Sequence, residues 1–195
     1  MKKFIEILAF AVILSVALGM AGCGDDEAVP RIEVEMENGG IFIIELYPEH
    51  APATVENFVK LVEEGFYDGL TFHRIVDGFM AQGGCSLGNG TGGSGENIFG
   101  EFASNGFRQN MLRHTTGVIS MARSTLPNSA SSQFFIMLGD NAGLDGDYAA
   151  FGKVIEGFEV VEALQTVERI TINPMDGPAS PVEPVIIKKM TAVYN

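Results

Sequence analysis

Between Arg31 and Leu46 the chain alternates with a period of two, and that pattern limits the fold more than any other feature. Ile32, Val34 and Met36 are interleaved with Glu33 and Glu35. Asn38-Gly39-Gly40 interrupts the pattern, and Phe42, Ile44 and Leu46 resume it. Apolar side chains two residues apart share one face of a strand, so the segment reads as a hairpin with one buried face. Short runs of strand character follow at 70–76, 79–83, 117–122, 133–138, 149–154 and 184–194, with turn residues between them. Only two segments change to a helical period. In 51–64, Val55, Phe58, Val59 and Val62 form a stripe, with Pro52 suited to the first turn and Gly65 to the stop. In 157–165, Val160, Val161 and Leu164 are the apolar positions. Two helices are too few to cover an open sheet but enough to plug the ends of a barrel. The predicted fold is therefore mainly β: a closed eight-stranded antiparallel β-barrel capped by two α-helices.

The first 22 residues read as a leader, not as part of the fold. Met1-Lys2-Lys3 is a basic start, and an apolar run from Phe4 to Ala21 follows, broken by Glu6. The run ends in Gly19-Met20-Ala21-Gly22-Cys23, which resembles a bacterial lipobox with Met20 where Leu is usual. The expectation is a lipoprotein-type signal peptide over 1–22, then a lipidated Cys23 with an acidic tether over 23–30, then one domain over 31–195. The protein would be exported and held at the outer face of the bacterial cell membrane, periplasmic or extracytoplasmic, by its acyl chains. An uncleaved helix or simple secretion are the competing readings; at about 18 residues the run is at the short limit for a span.

Net charge is −13, and the longest basic run after the leader is Lys188-Lys189. Phosphate backbones require clustered Lys and Arg, so nucleic acid is not an expected partner. His50, His73 and His114 are far apart with no Cys or carboxylate at ligand spacing, so no metal and no cofactor is expected. Gly88-Asn89-Gly90-Thr91-Gly92-Gly93 spells G-x-G-x-x-G, but it neither follows a strand directly nor opens a helix, as a dinucleotide site requires. After lipidation of Cys23 one thiol remains. Cys85 sits in the Gly-rich loop and reads as incidental. His73, between Phe72 and Arg74, reads as a satisfied, half-buried imidazole rather than a general base.

Arg74, Gln82 and Gln133 are the informative polar residues. Each falls in a strand that is otherwise apolar, where a polar group must be solvated, paired or aimed at a ligand. Arg74 alone suits a salt bridge, and each Gln alone could serve a backbone group. Three such residues on separate strands make a shared site the simpler account. With no nucleophile–base pair beside them, that site would grip an uncharged amide next to an apolar surface.

These stretches resemble the cyclophilins, a family of peptidyl-prolyl cis-trans isomerases, from about Arg31 to Tyr194. The likeness rests on Phe72-His73-Arg74-Ile75, Gly78-Phe79-Met80-Ala81-Gln82-Gly83-Gly84, Gly90-Thr91-Gly92-Gly93, Ser120-Met121-Ala122, Ser132-Gln133-Phe134-Phe135-Ile136, Leu144-Asp145-Gly146 and Phe151-Gly152-Lys153-Val154, in the family's order. The resemblance implies that Arg74 is the catalytic arginine. Phe79, Met80, Phe135 and Leu144 would line a proline pocket. Gln82 and Gln133 would hold the substrate backbone and orient Arg74. Ala122 and Arg123 would form the aligning wall, with Gly92 at the neighbouring subsite. Tyr148 stands where His is usual, Gly143 where Trp is frequent, and Cys85 where Asp is usual. The implied partners are proline-containing peptides and unfolded exported proteins, met by a monomer without a cofactor. A non-catalytic proline-binding or holdase module is the rival from another class; it would not need Arg74.

Overall fold

The structure, a computed structural model, describes residues 29–194. The leader, Cys23 and the tether as far as residue 28 lie outside the described residues. Ten strands are present: β1 (Pro30–Met36), β2 (Ile41–Leu46), β3 (Arg74–Val76), β4 (Met80–Gly83), β5 (Val118–Met121), β6 (Phe134–Met137), β7 (Ala150–Glu156), β8 (Arg169–Ile170), β9 (Ser180–Pro181) and β10 (Ile187–Tyr194). Eight of them form one antiparallel sheet in the order β10-β1-β2-β7-β5-β6-β4-β3, and β8 pairs with β9 in a separate ribbon. The opening hairpin follows its alternation: Ile32 faces Ile44 and Val34 faces Phe42, all four buried. Its turn is closed by Met36 N–H donating to Gly40 O at 2.8 Å, with Gly39 at φ 85°, a value open to glycine at little cost.

The sheet is an open, curled half-barrel, which corrects the closed barrel expected from the sequence. No ladder joins its end strands, β3 and β10. The 70–76 run supplies only three strand residues, because its first half pairs elsewhere. Gly69 N–H donates to Ile187 O, Ile187 N–H to Leu70 O and Phe72 N–H to Val185 O, at 2.8–2.9 Å, around one isolated bridge from Thr71 to Ile186. The outer edge of β3 is used differently again: Ile75 N–H donates to Ala179 O at 2.8 Å. The segment just before β9 therefore occupies the edge that closure would need. The β8–β9 ribbon has no period-2 signal, since each strand is two residues long.

Helix α1 (Pro52–Glu63) buries Thr54, Val55, Phe58, Leu61 and Val62 inside the curl. Phe58 packs on Tyr67, Phe134 and Phe151 with ring centroids 5.0–5.6 Å apart. Helix α2 is shorter than its sequence pattern, running Phe158–Glu162 before it tightens to a 3-10 turn at Ala163–Thr166. The central strands β5 and β6 are buried on both faces. Ile119, Met121, Phe134 and Ile136 enter the main core. Val118, Phe135 and Met137 enter a second, smaller cluster with Met80 and Ala150.

The first turn of α1 takes its cap from a distant residue. Ala51 stands at the N-cap and has no side-chain oxygen to offer. Instead Glu101, 2% exposed, accepts from Ala53 N–H at 3.1 Å, Thr54 N–H at 2.8 Å and the Thr54 hydroxyl at 2.7 Å. A carboxylate there satisfies orphan donors and complements the helix dipole. Glu101→Ala strands those donors away from water and is expected to destabilise the domain by about 2–4 kcal/mol in urea titration. Glu101→Gln, which keeps an acceptor, should lose less; equal stability of Glu101→Ala and wild type would show that the cap contributes nothing.

Candidate functional site

Strand register assembles the site. Arg74 on β3 lies opposite Gln82 on β4, Gln82 opposite Phe135 on β6, and Phe135 opposite Ser120 on β5. Residues paired across neighbouring strands share a face, so Arg74, Gln82 and Phe135 form one row, and Met80 joins that face two residues from Gln82. It is the face of the smaller apolar cluster, not of the main core.

A cavity of about 220 Å³ opens on this row. Phe79, Met80, Phe135 and Leu144 give it an apolar lining, and Arg74 and Gln82 bring polar groups to its edge. Ala122, Arg123 and Tyr148 complete the lining. A second lobe of about 380 Å³ shares Gln82, Ala122 and Arg123 with the first and adds Gly92 and Gln133. Every site residue singled out in the described sequence thus lines one of two adjoining lobes. Arg123 is held rigidly as a wall. Its Nε and Nη2 donate to Asp147 O at 3.0 and 2.9 Å, and its guanidinium lies 4.9 Å from the Phe102 ring and 4.7 Å from the Tyr148 ring.

The three polar residues form one directed chain. Arg74 Nη1 donates to Gln82 Oε1 at 3.3 Å, and Gln82 Nε2 to Gln133 Oε1 at 2.9 Å. Gln133 Nε2 donates to Gly90 O at 2.9 Å and Gly92 O at 2.7 Å. The two glycine carbonyls can only accept, so they orient the Gln133 amide, which orients Gln82 and turns its oxygen toward Arg74. Each Gln amide keeps hydrogen-bonding capacity for a bound peptide.

Cys85, read as incidental from the sequence, anchors the far end of this chain. It is buried, and its Sγ accepts from Gly90 N–H at 3.2 Å and Gly92 N–H at 3.3 Å. Burial pushes the thiol pKa up, but the N–H groups of Gly92, Leu87, Asn89 and Gly90 outweigh burial and hold it below the ordinary value. The same two glycines therefore present N–H groups to Cys85 and carbonyls to Gln133.

Sequence reasoning did not find two other parts of the site. His114 is 1% exposed beneath the apolar lobe, its ring stacked on Phe135 with centroids 6.0 Å apart. Its Nδ1 lies 3.1 Å from Asp145 Oδ1 and its Nε2 3.0 Å from Ser120 Oγ, so Nδ1 carries the proton and Nε2 accepts. Asp176 is the second. It pairs with Arg74 across 102 residues of chain, as no local pattern could reveal. His73 is half-buried, as its sequence reading has it, but it is not satisfied: both ring nitrogens are shielded without a side-chain hydrogen-bond partner among the described residues, and the Thr71 backbone only partly counters the fall that burial causes in its pKa. No group of three His, Cys, Asp or Glu side chains suited to a metal occurs among the described residues.

Comparison with known proteins gives the family and the fold. A family model described as cyclophilin type peptidyl-prolyl cis-trans isomerase/CLD matches residues 31–192. Peptidyl-prolyl cis-trans isomerase ppi1 of Schizosaccharomyces pombe is 38% identical over 163 residues, covering 84% of this chain and 99% of that protein. Peptidyl-prolyl cis-trans isomerase B of Bacillus subtilis is 48% identical over 124 residues, 64% of this chain and 82% of that protein. A cyclophilin type isomerase of Cryptosporidium parvum superposes with a TM-score of 0.70 at 30% identity, covering 86% of this chain and 99% of that one. The same parasite protein has also been crystallised in the presence of the dipeptide Ala-Pro, and that structure superposes with a TM-score of 0.69.

Buried His114 and half-buried His73 make stability depend on pH. Burial lowers the pKa of His114, partly offset by Asp145; burial and the Arg74 charge lower that of His73. Below the ordinary histidine pKa of about 6.5 the unfolded chain takes up protons that the folded one resists. Their contribution is complete above that pH and falls as pH drops through it, by at most about 1.4 kcal/mol per pH unit for each ring. Urea midpoints should therefore decrease from pH 7.5 to 5.5. In NMR titration both imidazoles should remain neutral at pH 6.5; a midpoint at or above that value for either ring contradicts the assignment.

Proposed function

The chain belongs to the cyclophilin-type peptidyl-prolyl cis-trans isomerase family and is a peptidyl-prolyl cis-trans isomerase; we propose that Arg74 is its catalytic group and that it serves exported proteins from a membrane anchor. An X-Pro bond isomerises unaided over tens to hundreds of seconds, behind a barrier of roughly 18–20 kcal/mol set by amide resonance. As the bond twists, resonance is lost and the proline nitrogen gains a lone pair that the planar ground state lacks. Arg74 donates to that lone pair while the apolar lobe holds the ring and the peptide on its amino side turns in the second lobe. The donor interaction exists mainly in the transition state, so it raises kcat.

The observation that carries this reading is the single row formed by Arg74, Gln82 and Phe135, which sets a donor, an amide and an apolar floor side by side. The Ala-Pro dipeptide used with the parasite relative supports proline-containing peptides as the ligand class. The reaction needs no covalent intermediate from this site. Its net charge of −13 does not suit nucleic acid.

The anchoring part rests on the Gly19-Met20-Ala21-Gly22-Cys23 stretch. Strand β1 begins at Pro30, seven residues beyond Cys23, so the tether spans at most about 25 Å when fully extended. That length holds the domain close to the bilayer, where newly exported chains emerge. The site faces clients on the outer side of the bacterial membrane.

Arg74→Ala is expected to lose about 10²–10³ in kcat/KM toward proline tetrapeptides in a protease-coupled assay, the usual size for one transition-state donor. Turnover like wild type in that variant removes Arg74 from the mechanism. For the anchor, the full chain expressed with a labelled fatty acid should incorporate label and partition with membranes, and Cys23→Ala should do neither. Equal labelling of the two excludes Cys23 as the acylation site.

A further inference from the structure

Arg74 has a stronger partner than the glutamine chain. Asp176 Oδ1 accepts from Arg74 Nη2 at 2.6 Å and Asp176 Oδ2 from Nε at 2.9 Å, a two-pronged pairing along one edge of the guanidinium. Gln82 reaches Nη1 only at 3.3 Å, and the Met80 sulfur lies 3.8 Å from the same nitrogen. Arg74 lines both the apolar lobe and a separate cavity of about 880 Å³, whereas Asp176 lines only the latter. The guanidinium is thus a partition, held by a carboxylate from the side away from the proline pocket.

We propose that Asp176 is a positioning residue for the isomerase reaction, fixing the plane and rotamer of Arg74 so that its remaining Nη hydrogens meet the substrate. The inference rests on the catalytic role given to Arg74 above. An arginine side chain has several free rotations, and a bidentate carboxylate removes them before substrate arrives, so the cost of ordering is not charged to the transition state. Because the pairing uses the Nε/Nη2 edge, the second Nη2 hydrogen remains for the twisting amide, and on Nη1 only the weak contact to the Met80 sulfur has to be given up.

The carboxylate is itself built in. Asn173 Nδ2 donates to Asp176 Oδ2 at 3.1 Å, and Asp176 N–H donates to Asn173 O at 3.0 Å. The β8–β9 ribbon that carries this turn is tied to the strand that carries Arg74. Ile75 N–H donates to Ala179 O, and Arg169 Nη1 and Nη2 bind the two Asp77 oxygens at 2.6 and 2.8 Å. Both partners of the pair therefore take their position from β3. The Arg74 hydrogen bonds also hold the Asp176 carboxyl below its ordinary pKa, so it stays ionised.

A double-mutant cycle tests this, using steady-state kinetics on proline tetrapeptides with thermal melts of every variant. Asp176→Ala should lower kcat about tenfold and leave KM within about twofold, since positioning acts on the transition state. In the Arg74→Ala background the same substitution should change the residual kcat by less than about twofold. Asp176→Asn keeps the side-chain shape and one acceptor; it should lie between wild type and Asp176→Ala, and it carries the test if the alanine variant melts early. Equal losses in both backgrounds would assign Asp176 to holding the ribbon and overturn the proposal, as would unchanged kcat in Asp176→Ala with Arg74 present. Unchanged turnover in Arg74→Ala alone would instead remove the catalytic role of Arg74, and this inference with it.

Discussion

One step of strand register, between Phe134 and Phe135, divides this molecule into the side that folds and the side that binds. Phe134 points into the aromatic core with Phe58, Tyr67 and Phe72. Phe135 points the other way, onto His114 and Tyr148. Successive strand residues face opposite sides, so a slip of one position would exchange the two rings and send the binding floor into the core. The register is secured twice, by β4 on one flank and β5 on the other, and both pairings also place site residues. The packing that stabilises the sheet and the geometry that presents Arg74 are therefore the same set of hydrogen bonds.

The polar side is ordered from backbone inward. Gly90 and Gly92 offer carbonyls to Gln133 and N–H groups to Cys85, so a loop of small residues sets the direction of every amide between it and Arg74. A side-chain hydrogen bond is modest in net energy, and its value here is orientation. Below the floor, His114 performs a similar task, joining Asp145 near the pocket rim to Ser120 on β5. Neither His114 nor Cys85 lines a cavity, yet each is packed on or bonded to residues that do.

Alternation in the first hairpin, short apolar runs between turn residues elsewhere and one helical stripe were enough to locate the eight strands of the main sheet and the helix α1. They were not enough to close or open the sheet. That depended on whether Leu70–Phe72 and Val185–Ile187 pair as a ladder or cross briefly, and on Ala179 occupying the edge of β3. Arg74, Gln82 and Gln133 stood out as polar residues in apolar strands, but their roles came with the family resemblance, not from spacing. Glu101, His114 and Asp176 left no such trace. Each acts on a partner 31 to 102 residues away, and an acidic side chain in a loop looks the same in sequence whether it is solvated or committed.

The placement of β10 imposes an order on biogenesis. Strand β1 has β2 on one side and β10 on the other, with Val34 paired to Met190, 156 positions later in the chain, so one of its edges stays bare until β10 has been made. The loop that brings Asp176 to Arg74 also comes late, between β8 and β9 and just ahead of β10. A polypeptide emerging from its amino end can form the first hairpin at once, but must hold one open strand edge until β10 follows. An enzyme that catalyses prolyl isomerisation thus cannot complete its own sheet before β10 has emerged.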